Sequence, residues 1–150
     1  MQITRRLEFD AGHRIPNHAS LCRHLHGHRY AIEVTVSGPL VADPHSPEQG
    51  MVTDFSHIKA IARRLVDDWD HAFLVHAGDA AVRLFLDSLP GHRTVVFEQP
   101  PTAEHLAQVA FTRLHEAYAA EYGERLTLTR VRLYETPNCW ADAGPEDIGR

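Results

Sequence analysis

The chain is poor in cysteine and contains no long apolar run. Its two cysteines, Cys22 and Cys139, are too few for a disulfide framework, which fits a reducing compartment. A membrane-spanning helix needs about 20 consecutive apolar residues, and no run approaches that length. Residues 1–8 also lack the apolar segment of a secretory signal. We therefore expect a cytoplasmic protein with no membrane partner.

An excess of positive charge is also missing. The 15 Lys and Arg residues are outnumbered by 20 Asp and Glu residues, and a formal net charge of −5 argues against electrostatic binding of nucleic acid. Histidine, by contrast, is abundant, with 12 copies. Because neutral imidazole is the commonest protein ligand of zinc-like metals, this abundance favours a metal site. The length of 150 residues predicts one domain spanning residues 1–150.

The spacing of the apolar residues predicts both strands and helices. Strands are predicted over residues 2–9, 26–37, 94–97 and 126–135. Helices are predicted after the N-cap Asp54, over residues 79–89, and from the N-cap Thr102 to Gly123. A loop is predicted after His71, and a tail or loop from Pro137 onward. This order predicts an α+β domain with helices on one face of an antiparallel sheet.

His26 and His28 open the second predicted strand. Tyr30 and Ile32 continue their parity, and successive strand side chains point to opposite faces, so both imidazoles lie on the apolar side. Two imidazoles on one face, separated only by Gly27, can reach a single metal ion. The pattern therefore predicts a metal site.

His13, at the end of the first predicted strand, is the candidate third ligand. If the first two strands pair like a hairpin, the end of one lies beside the start of the other. Three protein ligands with one open coordination position are what a catalytic zinc requires. His18 and His24 are competing candidates, because spacing alone does not exclude them.

Cys22 and the neighbours Asp70 and His71 are candidates for proton transfer. Cys22 precedes His26 by four residues, and a nearby metal and cationic Arg23 would favour its thiolate. A carboxylate beside an imidazole can tune the ring as a proton donor or acceptor near neutral pH. Asp70 and His71 could equally be a charge pair at the end of a helix.

Glu135 ends the last predicted strand on the parity of Val131 and Leu133. A carboxylate at the rim of an apolar face needs a partner, because burying it unpaired is unfavourable. A ligand with two parallel N–H donors would serve, and so would an internal arginine. Thr102 and Glu104 most simply serve the start of the long helix, as N-cap and as partner of the helix dipole.

Several short motifs occur in order along the chain. They are Phe9-Asp10-Ala11-Gly12-His13-Arg14, Cys22 followed by Leu25-His26-Gly27-His28, Met51-Val52-Thr53-Asp54-Phe55, Asp70-His71, Pro101-Thr102-Ala103-Glu104 and Tyr134-Glu135-Thr136. Together they closely resemble the 6-pyruvoyltetrahydropterin synthase family, and within it the bacterial branch of queuosine biosynthesis. The resemblance spans nearly the whole chain, and its specific part is Cys-x-x-x-His-Gly-His with an upstream histidine.

The resemblance implies the tunnelling fold (T-fold), whose small subunits join their sheets into a barrel. Such proteins are commonly homohexamers, built as a dimer of trimers, with active sites between subunits. The roles it implies are zinc binding by His13, His26 and His28, proton transfer by Cys22, Asp70 and His71, pterin anchoring by Glu135, and support of the pterin pocket by Thr102 and Glu104.

The implied substrate is 7,8-dihydroneopterin triphosphate. The queuosine branch converts it to 6-carboxy-5,6,7,8-tetrahydropterin, acetaldehyde and triphosphate. Two alternatives are a branch that eliminates triphosphate to form 6-pyruvoyltetrahydropterin, and a non-catalytic pterin- or metal-binding protein. An aldolase-like branch typically carries Glu where this chain has Cys22, so it ranks lower.

The chain departs from the family pattern in two places. Trp69 precedes Asp70 where the family more often carries leucine, and the segment 75–93 is longer than in compact members. The sequence does not determine which basic residues would bind the triphosphate. The candidates are Arg14, Arg23, Arg29 and Lys59. Cys139 follows Glu135 closely and is interpreted as structural.

Overall fold

The computed structural model of the chain describes residues 1–149. Its strands are β1 Gln2–His13, β2 His26–Ser37, β3 Ala72–His76, β4 Thr94–Phe97, β5 Thr127–Thr136 and β6 Cys139–Ala143. Its helices are α1 Phe55–Trp69, α2 Ala80–Asp87 and α3 Ala103–Tyr122, with short 3-10 turns at Leu21–Arg23 and Pro145–Asp147. No helix within residues 1–149 is both long and apolar enough to cross a bilayer.

The six strands form one sheet in the order β4-β3-β1-β2-β5-β6. Strands β1, β2, β5 and β6 pair antiparallel, whereas β3 runs parallel to both β1 and β4. The α+β class is confirmed, and the sheet is mixed rather than wholly antiparallel. The parallel part has a physical reason, because α2 supplies the crossover that lets β4 run in the same direction as β3.

Two strands lie where the sequence predicts loops, so both loop predictions are wrong. The first, β3, is too short for a periodic signal and is apolar on both faces, as strands covered on both sides are. The second, β6, is a short edge strand that returns along β5 after a turn at Pro137 and Asn138. The first strand also continues past Phe9 to His13, because Ala11 and Gly12 stay paired with β2.

The main core lies between one face of the sheet and the helices α1 and α3. Trp69, at the end of α1, is buried there against Phe9 and Phe97, with ring centroids 6.0 and 5.5 Å away. The tryptophan that departs from the family pattern therefore fills the core beneath the first strand. It is a packing residue in this chain.

Helix α2 packs separately from the main core. Its residues Val82 and Leu86 cluster with Val75, and Phe73 packs against them, whereas Leu74 belongs to the main core. Because strand side chains alternate, Phe73 and Val75 lie on the opposite face of β3. The long segment noted in the sequence thus builds a helix over the far face of the sheet.

The predicted helix caps are present. Asp54 accepts a hydrogen bond from the Ser56 amide at 2.7 Å, and Thr102 Oγ1 accepts one from the His105 amide at 3.3 Å. Helix α3 ends at Gly123, whose φ of 55° lies in the left-handed region that favours glycine. The side chains of Asp54 and Thr102 thus set where α1 and α3 begin, and the backbone of Gly123 sets where α3 ends.

Candidate metal centre and proton-transfer residues

Three histidines meet at one end of the β1–β2 ladder. The strand register pairs His13 with His26 and Ala11 with His28. His26 and His28 are two residues apart on one strand, so both imidazoles lie on the face that His13 also occupies. Within the described chain, candidate ligand atoms of the three residues all lie within 4.8 Å of one another.

Backbone carbonyls orient two of the three rings. His13 Nδ1 lies 2.9 Å from the carbonyl oxygen of Pro101, and His26 Nδ1 lies 2.7 Å from that of His24. A carbonyl only accepts, so each Nδ1 carries the proton and each Nε2 presents a lone pair. The two Nε2 atoms are 3.1 Å apart, close to the roughly 3.3 Å between ligand atoms of a tetrahedral zinc.

The protonation equilibria also favour metal binding. Burial lowers the pKa of His13 from 6.5 to about 4, and the neighbouring His26 and His28 push it in the same direction. Burial likewise lowers the pKa of His28, although the Glu135 carboxylate partly opposes this. His13 and His28 are therefore neutral near pH 7, which is the form of imidazole that binds a metal.

Glu135 places a carboxylate beside the histidines. Its Oε1 lies 3.4 Å from His13 Nε2 and 3.9 Å from His28 Nε2. These contacts are not ion pairs at neutral pH, because both imidazoles are neutral there. The Nε2 lone pair of His13 and the Glu135 carboxylate thus face each other with no proton between them. A cation at the centre resolves that convergence, so the residues fit a zinc-like ion.

Gly27 permits the close approach of β1 and β2 at this centre. A Cβ there would lie 2.8 Å from the carbonyl oxygen of Ala11 and 3.4 Å from Gly12 Cα, both of which are backbone atoms. Any larger residue between His26 and His28 would push the two strands apart. The glycine of His-Gly-His is therefore needed to bring His13 near its partners.

Tyr30 forms the floor of the centre. Its buried ring stacks on Phe9 and meets His13 and His28 edge-on, with centroids 5.9 and 5.6 Å away. Burial raises the pKa of the Tyr30 phenol, which keeps it protonated, and the nearby Glu135 carboxylate adds to that effect. Tyr30 is not among the residues predicted for the site, although it shares the parity of both strand histidines.

Asp70 and His71 do face each other. His71 has a φ of 58°, which turns its ring back so that Nδ1 lies 3.0 Å from Asp70 Oδ2. The other oxygen, Oδ1, accepts a hydrogen bond from the Asp10 amide at 2.9 Å, and the His71 amide donates to the Asp10 carbonyl at 2.7 Å. The Asp10 and His71 hydrogen bonds hold the pKa of Asp70 below its usual range. An ionised Asp70 thus orients the exposed His71 ring.

The His71 ring borders an open groove that His26 and His28 also line, together with Gly27 and Phe73. The groove encloses about 570 Å³. One side of the metal cluster and the Asp70–His71 pair therefore open to the same space.

Cys22 is not part of the histidine cluster and lies in the turn before β2. It sits half-buried in the 3-10 turn before β2, where its carbonyl accepts a hydrogen bond from the Ile15 amide at 2.8 Å. Its electrostatic effect reaches the Tyr30 phenol. Within residues 1–149, Cys22 shares no hydrogen bond or ion pair with Asp70 or His71. Cys22 therefore acts on Tyr30 and does not line the groove that His71 borders.

Thr102 and Glu104 are also separate from Glu135. They line a groove of about 520 Å³ with His105 and Asp142, whereas Glu135 lines another with Arg6 and Arg29. Their link to the metal cluster runs through Pro101, which immediately precedes Thr102 and whose carbonyl orients His13. No local pattern predicts this link, because the two partners are 88 residues apart.

The competing histidines do not join the ligand cluster that the structure describes. His18 Nδ1 accepts a hydrogen bond from the Ser20 amide at 3.0 Å, and His24 contributes its carbonyl to His26. Cys139 is exposed in β6. These three side chains lie outside the set of atoms that converge.

The four basic residues that are candidates for binding triphosphate differ in whether carboxylates of the chain already bind them. Arg14 binds Asp79 through two hydrogen bonds of 2.5 and 2.7 Å, which leaves it little capacity for a phosphate. Arg29 is exposed and lies 3.2 Å from Glu8 and 3.4 Å from Asp10 at the mouth of the His71 groove. Arg29 is thus already held by two carboxylates, whereas Arg23 is exposed and has no ion pair within residues 1–149. Lys59 is exposed on α1.

Comparison with known proteins identifies a family. A family model described as 6-pyruvoyl tetrahydropterin synthase matches residues 2–146. A Rickettsia bellii protein named 6-carboxy-5,6,7,8-tetrahydropterin synthase is 38% identical over 147 residues, covering 95% of this chain and 99% of that protein. A Haemophilus influenzae protein of the same name is 31% identical over 144 residues, covering 94% and 96% of the two chains.

Solved structures share the fold. A Wolinella succinogenes protein described as uncharacterized superposes with a TM-score of 0.78 at 23% identity, covering 97% of this chain and 98% of its own. A 6-pyruvoyl tetrahydropterin synthase from Plasmodium vivax superposes with a TM-score of 0.70 at 18% identity, covering 95% and 97%. The T-fold expected from the sequence is confirmed.

Proposed function

The chain belongs to the 6-pyruvoyl tetrahydropterin synthase family, and we propose that it is a zinc-dependent 6-carboxy-5,6,7,8-tetrahydropterin synthase. It would convert 7,8-dihydroneopterin triphosphate to 6-carboxy-5,6,7,8-tetrahydropterin, acetaldehyde and triphosphate, as a step of queuosine biosynthesis. The observation that carries the proposal is the convergence of His13, His26 and His28 in a relative of enzymes with that name.

In this proposal the three histidines hold the zinc through Nε2. The carbonyls of Pro101 and His24 support it, because they fix the tautomer that two of the rings need. When bound, zinc supplies a Lewis acid that polarises the side-chain oxygens of the substrate and eases proton loss from the adjoining carbon.

The remaining chemistry is proton transfer by the chain's own residues. Cys22 Sγ, as thiolate, removes a proton from the substrate side chain, and His71 returns protons from Nε2, the ring nitrogen that Asp70 leaves free. The bond between Asp70 and His71 supports this assignment, because it fixes the ring and leaves one nitrogen exposed to the groove.

Glu135 binds the pterin ring in this proposal. A carboxylate with two oxygens matches the two parallel N–H donors of a pterin, as it would match a guanidinium. Thr102 and Glu104 support the pocket indirectly. They begin α3 and so fix the Pro101 carbonyl that orients His13.

The proposed active form is a cytoplasmic homohexamer with sites between subunits. Cys22 does not line the groove that His71 borders within one chain, and this supports a site completed by a second copy, because proton transfer needs both groups near one substrate. The two free cysteines support a reducing compartment.

Product analysis by mass spectrometry tests the proposal. Zinc-loaded protein is incubated with 7,8-dihydroneopterin triphosphate, with the Cys22→Ala variant alongside. We expect carboxytetrahydropterin and acetaldehyde from the wild type only, with zinc retained in the variant. Pyruvoyltetrahydropterin would keep the family and change the reaction. Absence of conversion by a folded, zinc-loaded oligomer would favour a binding protein.

A further inference from the structure

A groove on the loop between β1 and β2 has a lining of basic and neutral residues. It encloses about 640 Å³, which is within the roughly 300–1,000 Å³ of small-molecule sites. Within residues 1–149 its lining, which we call the loop groove, contains no Asp or Glu and consists of Arg14, Asn17, His18, Ala19, Arg23 and His24. On a chain with a formal net charge of −5, such a lining is a place where an anion is attracted.

Several side chains of the loop groove offer hydrogen-bond donors. Arg23 is exposed and makes no ion pair within residues 1–149. His18 Nδ1 accepts a hydrogen bond from the Ser20 amide at 3.0 Å, so its Nε2 carries the ring proton and can donate. Asn17 adds a side-chain amide donor. A guanidinium and neutral donors, with no carboxylate among them, suit the oxygens of a phosphate group.

Backbone hydrogen bonds fold the loop that forms this groove. The Ile15 amide donates to the Cys22 carbonyl at 2.8 Å, and the His18 amide donates to the Ile15 carbonyl at 3.2 Å. Asn17 has a φ of 64°, a left-handed conformation that asparagine adopts more readily than most residues. The chain therefore turns back at Asn17, and side chains from both ends of the loop line one groove.

The loop groove adjoins the metal centre and the proposed base. The His24 side chain lines the groove, while its carbonyl oxygen lies 2.7 Å from His26 Nδ1. Cys22 immediately precedes Arg23 in the same 3-10 turn. A group bound in the loop groove is therefore next to the residue that orients one candidate metal ligand, and next to the turn that carries Cys22.

The other two grooves beside the histidines are less suited to a phosphate. Arg29 lines both of them, but it lies 3.2 Å from Glu8 and 3.4 Å from Asp10, and each of these carboxylates lines one of the two grooves. Glu135 adds a second carboxylate to the Glu8 groove. Because like charges repel, the charge of the lining residues favours the loop groove for a triphosphate.

We propose that the loop groove binds the triphosphate of the substrate, with Arg23 as its main cation. This inference rests on the proposed function, in which Glu135 binds the pterin ring. The ring and the phosphates are at opposite ends of the side chain of 7,8-dihydroneopterin triphosphate, and the loop groove shares no lining residue with the groove of Glu135. The substrate side chain then lies across the metal centre between these two ends.

Two fluorescent pterins that differ only in the phosphates test this subsite. Neopterin and neopterin triphosphate are titrated into zinc-loaded protein, and the ratio of their dissociation constants measures what the phosphates contribute. Both carry an oxidised ring in place of the dihydropterin of the substrate, so binding is measured without turnover. Arg23→Ala should reduce the ratio about tenfold, the effect of losing one charge-assisted hydrogen bond, and leave the affinity for neopterin unchanged. Arg23→Lys should retain part of the ratio, because the charge remains.

Two other arginine variants serve as controls. Arg64→Ala is the matched control for charge, because Arg64 is also exposed but lies on α1, outside the loop groove. Arg29→Ala tests the two rival grooves. We expect both variants to keep the wild-type ratio. The proposal is overturned by an unchanged ratio in a folded, zinc-loaded Arg23→Ala protein, or by an equal fall of the ratio in either control.

The same titrations separate the inference from the function on which it rests. If neopterin binds and the phosphates add no affinity, pterin recognition stands and the phosphate subsite is wrong. If neither pterin binds to folded, zinc-loaded protein, pterin recognition is refuted and the subsite with it. UTP, which carries a triphosphate without a pterin, should bind more weakly than neopterin triphosphate. Equal affinity for the two would indicate a general polyphosphate site and contradict the assignment to the substrate.

Discussion

Removing Arg14 should destabilise the protein more than removing Asp79, although the two residues form one ion pair. The pair joins the residue after His13 to the N-terminus of α2 through hydrogen bonds of 2.5 and 2.7 Å. Its two ends differ in exposure: the Arg14 side chain is 29% exposed and that of Asp79 only 4%. The residue left behind therefore decides the loss of stability.

The magnitudes follow from that asymmetry. Arg14→Ala leaves a buried carboxylate without a cation, which costs about 3–5 kcal/mol. Asp79→Ala leaves a guanidinium that can reach water, so it loses about 1 kcal/mol for the partly exposed pair and about 1 kcal/mol for the α2 cap. At about 2–4 °C per kcal/mol for a chain of this size, the Tm values of the two variants should differ by several degrees.

Chemical and thermal unfolding of four proteins measures this prediction. They are the wild type, the two single variants and the double variant Arg14→Ala/Asp79→Ala, all at one zinc concentration. The double variant should resemble Asp79→Ala, because the buried carboxylate is gone in both. Arg14 also holds the pKa of Asp79 below 3.8, so the stability that the pair gives the wild type is fully present above pH 3.8 and is lost as the pH falls below that value, where the excess penalty of Arg14→Ala should shrink. Equal losses in the single variants, or additive losses in the double variant, would refute the reasoning.

Further predictions concern the metal centre. Folding lowers the pKa of His13 from 6.5 to about 4, so the unfolded metal-free chain binds more protons than the folded chain between those pH values. The free energy of unfolding should therefore rise by about 3 kcal/mol as the pH increases from 4 to 6.5. A free energy of urea unfolding that does not change with pH would contradict this. Gly27→Ala should lower the free energy of unfolding by about 1–3 kcal/mol and weaken zinc binding, because the new Cβ would lie 2.8 Å from the Ala11 carbonyl oxygen. An unchanged unfolding temperature in calorimetry, together with unchanged zinc affinity, would contradict this. Chelation should leave the far-ultraviolet circular dichroism intact, because the main core is built without the metal ligands; collapse of the spectrum would make the metal structural.

Local signals predicted the strands and helices that carry the site. The alternation after His26 predicted β2 with the same bounds as the structure, and Asp54, Thr102 and Gly123 predicted helix ends to within a residue. Such features depend on near neighbours in sequence, which a single sequence records. The short strands β3 and β6 were missed, because each is defined by the strand beside it and not by its own periodicity.

The sequence indicates candidate site residues and not how they are arranged. The pairing of β1 with β2 brings His13 beside His26, as expected from a hairpin-like pair. The placement of Glu135 against the histidines depends on β5 lying next to β2, and the support of His13 by Pro101 depends on how α3 packs. Those contacts arise from tertiary structure, which spacing along the chain does not encode.

The most direct test of the central claim is stepwise reconstitution with zinc. Metal is removed with a chelator, zinc is returned in substoichiometric steps, and formation of 6-carboxytetrahydropterin is measured at each step beside the His26→Ala variant. If the three histidines form the metal centre of the proposed enzyme, activity rises in proportion to bound zinc, levels at one zinc per chain, and stays absent in the variant. Full turnover by the metal-free protein, or by His26→Ala, would contradict the account.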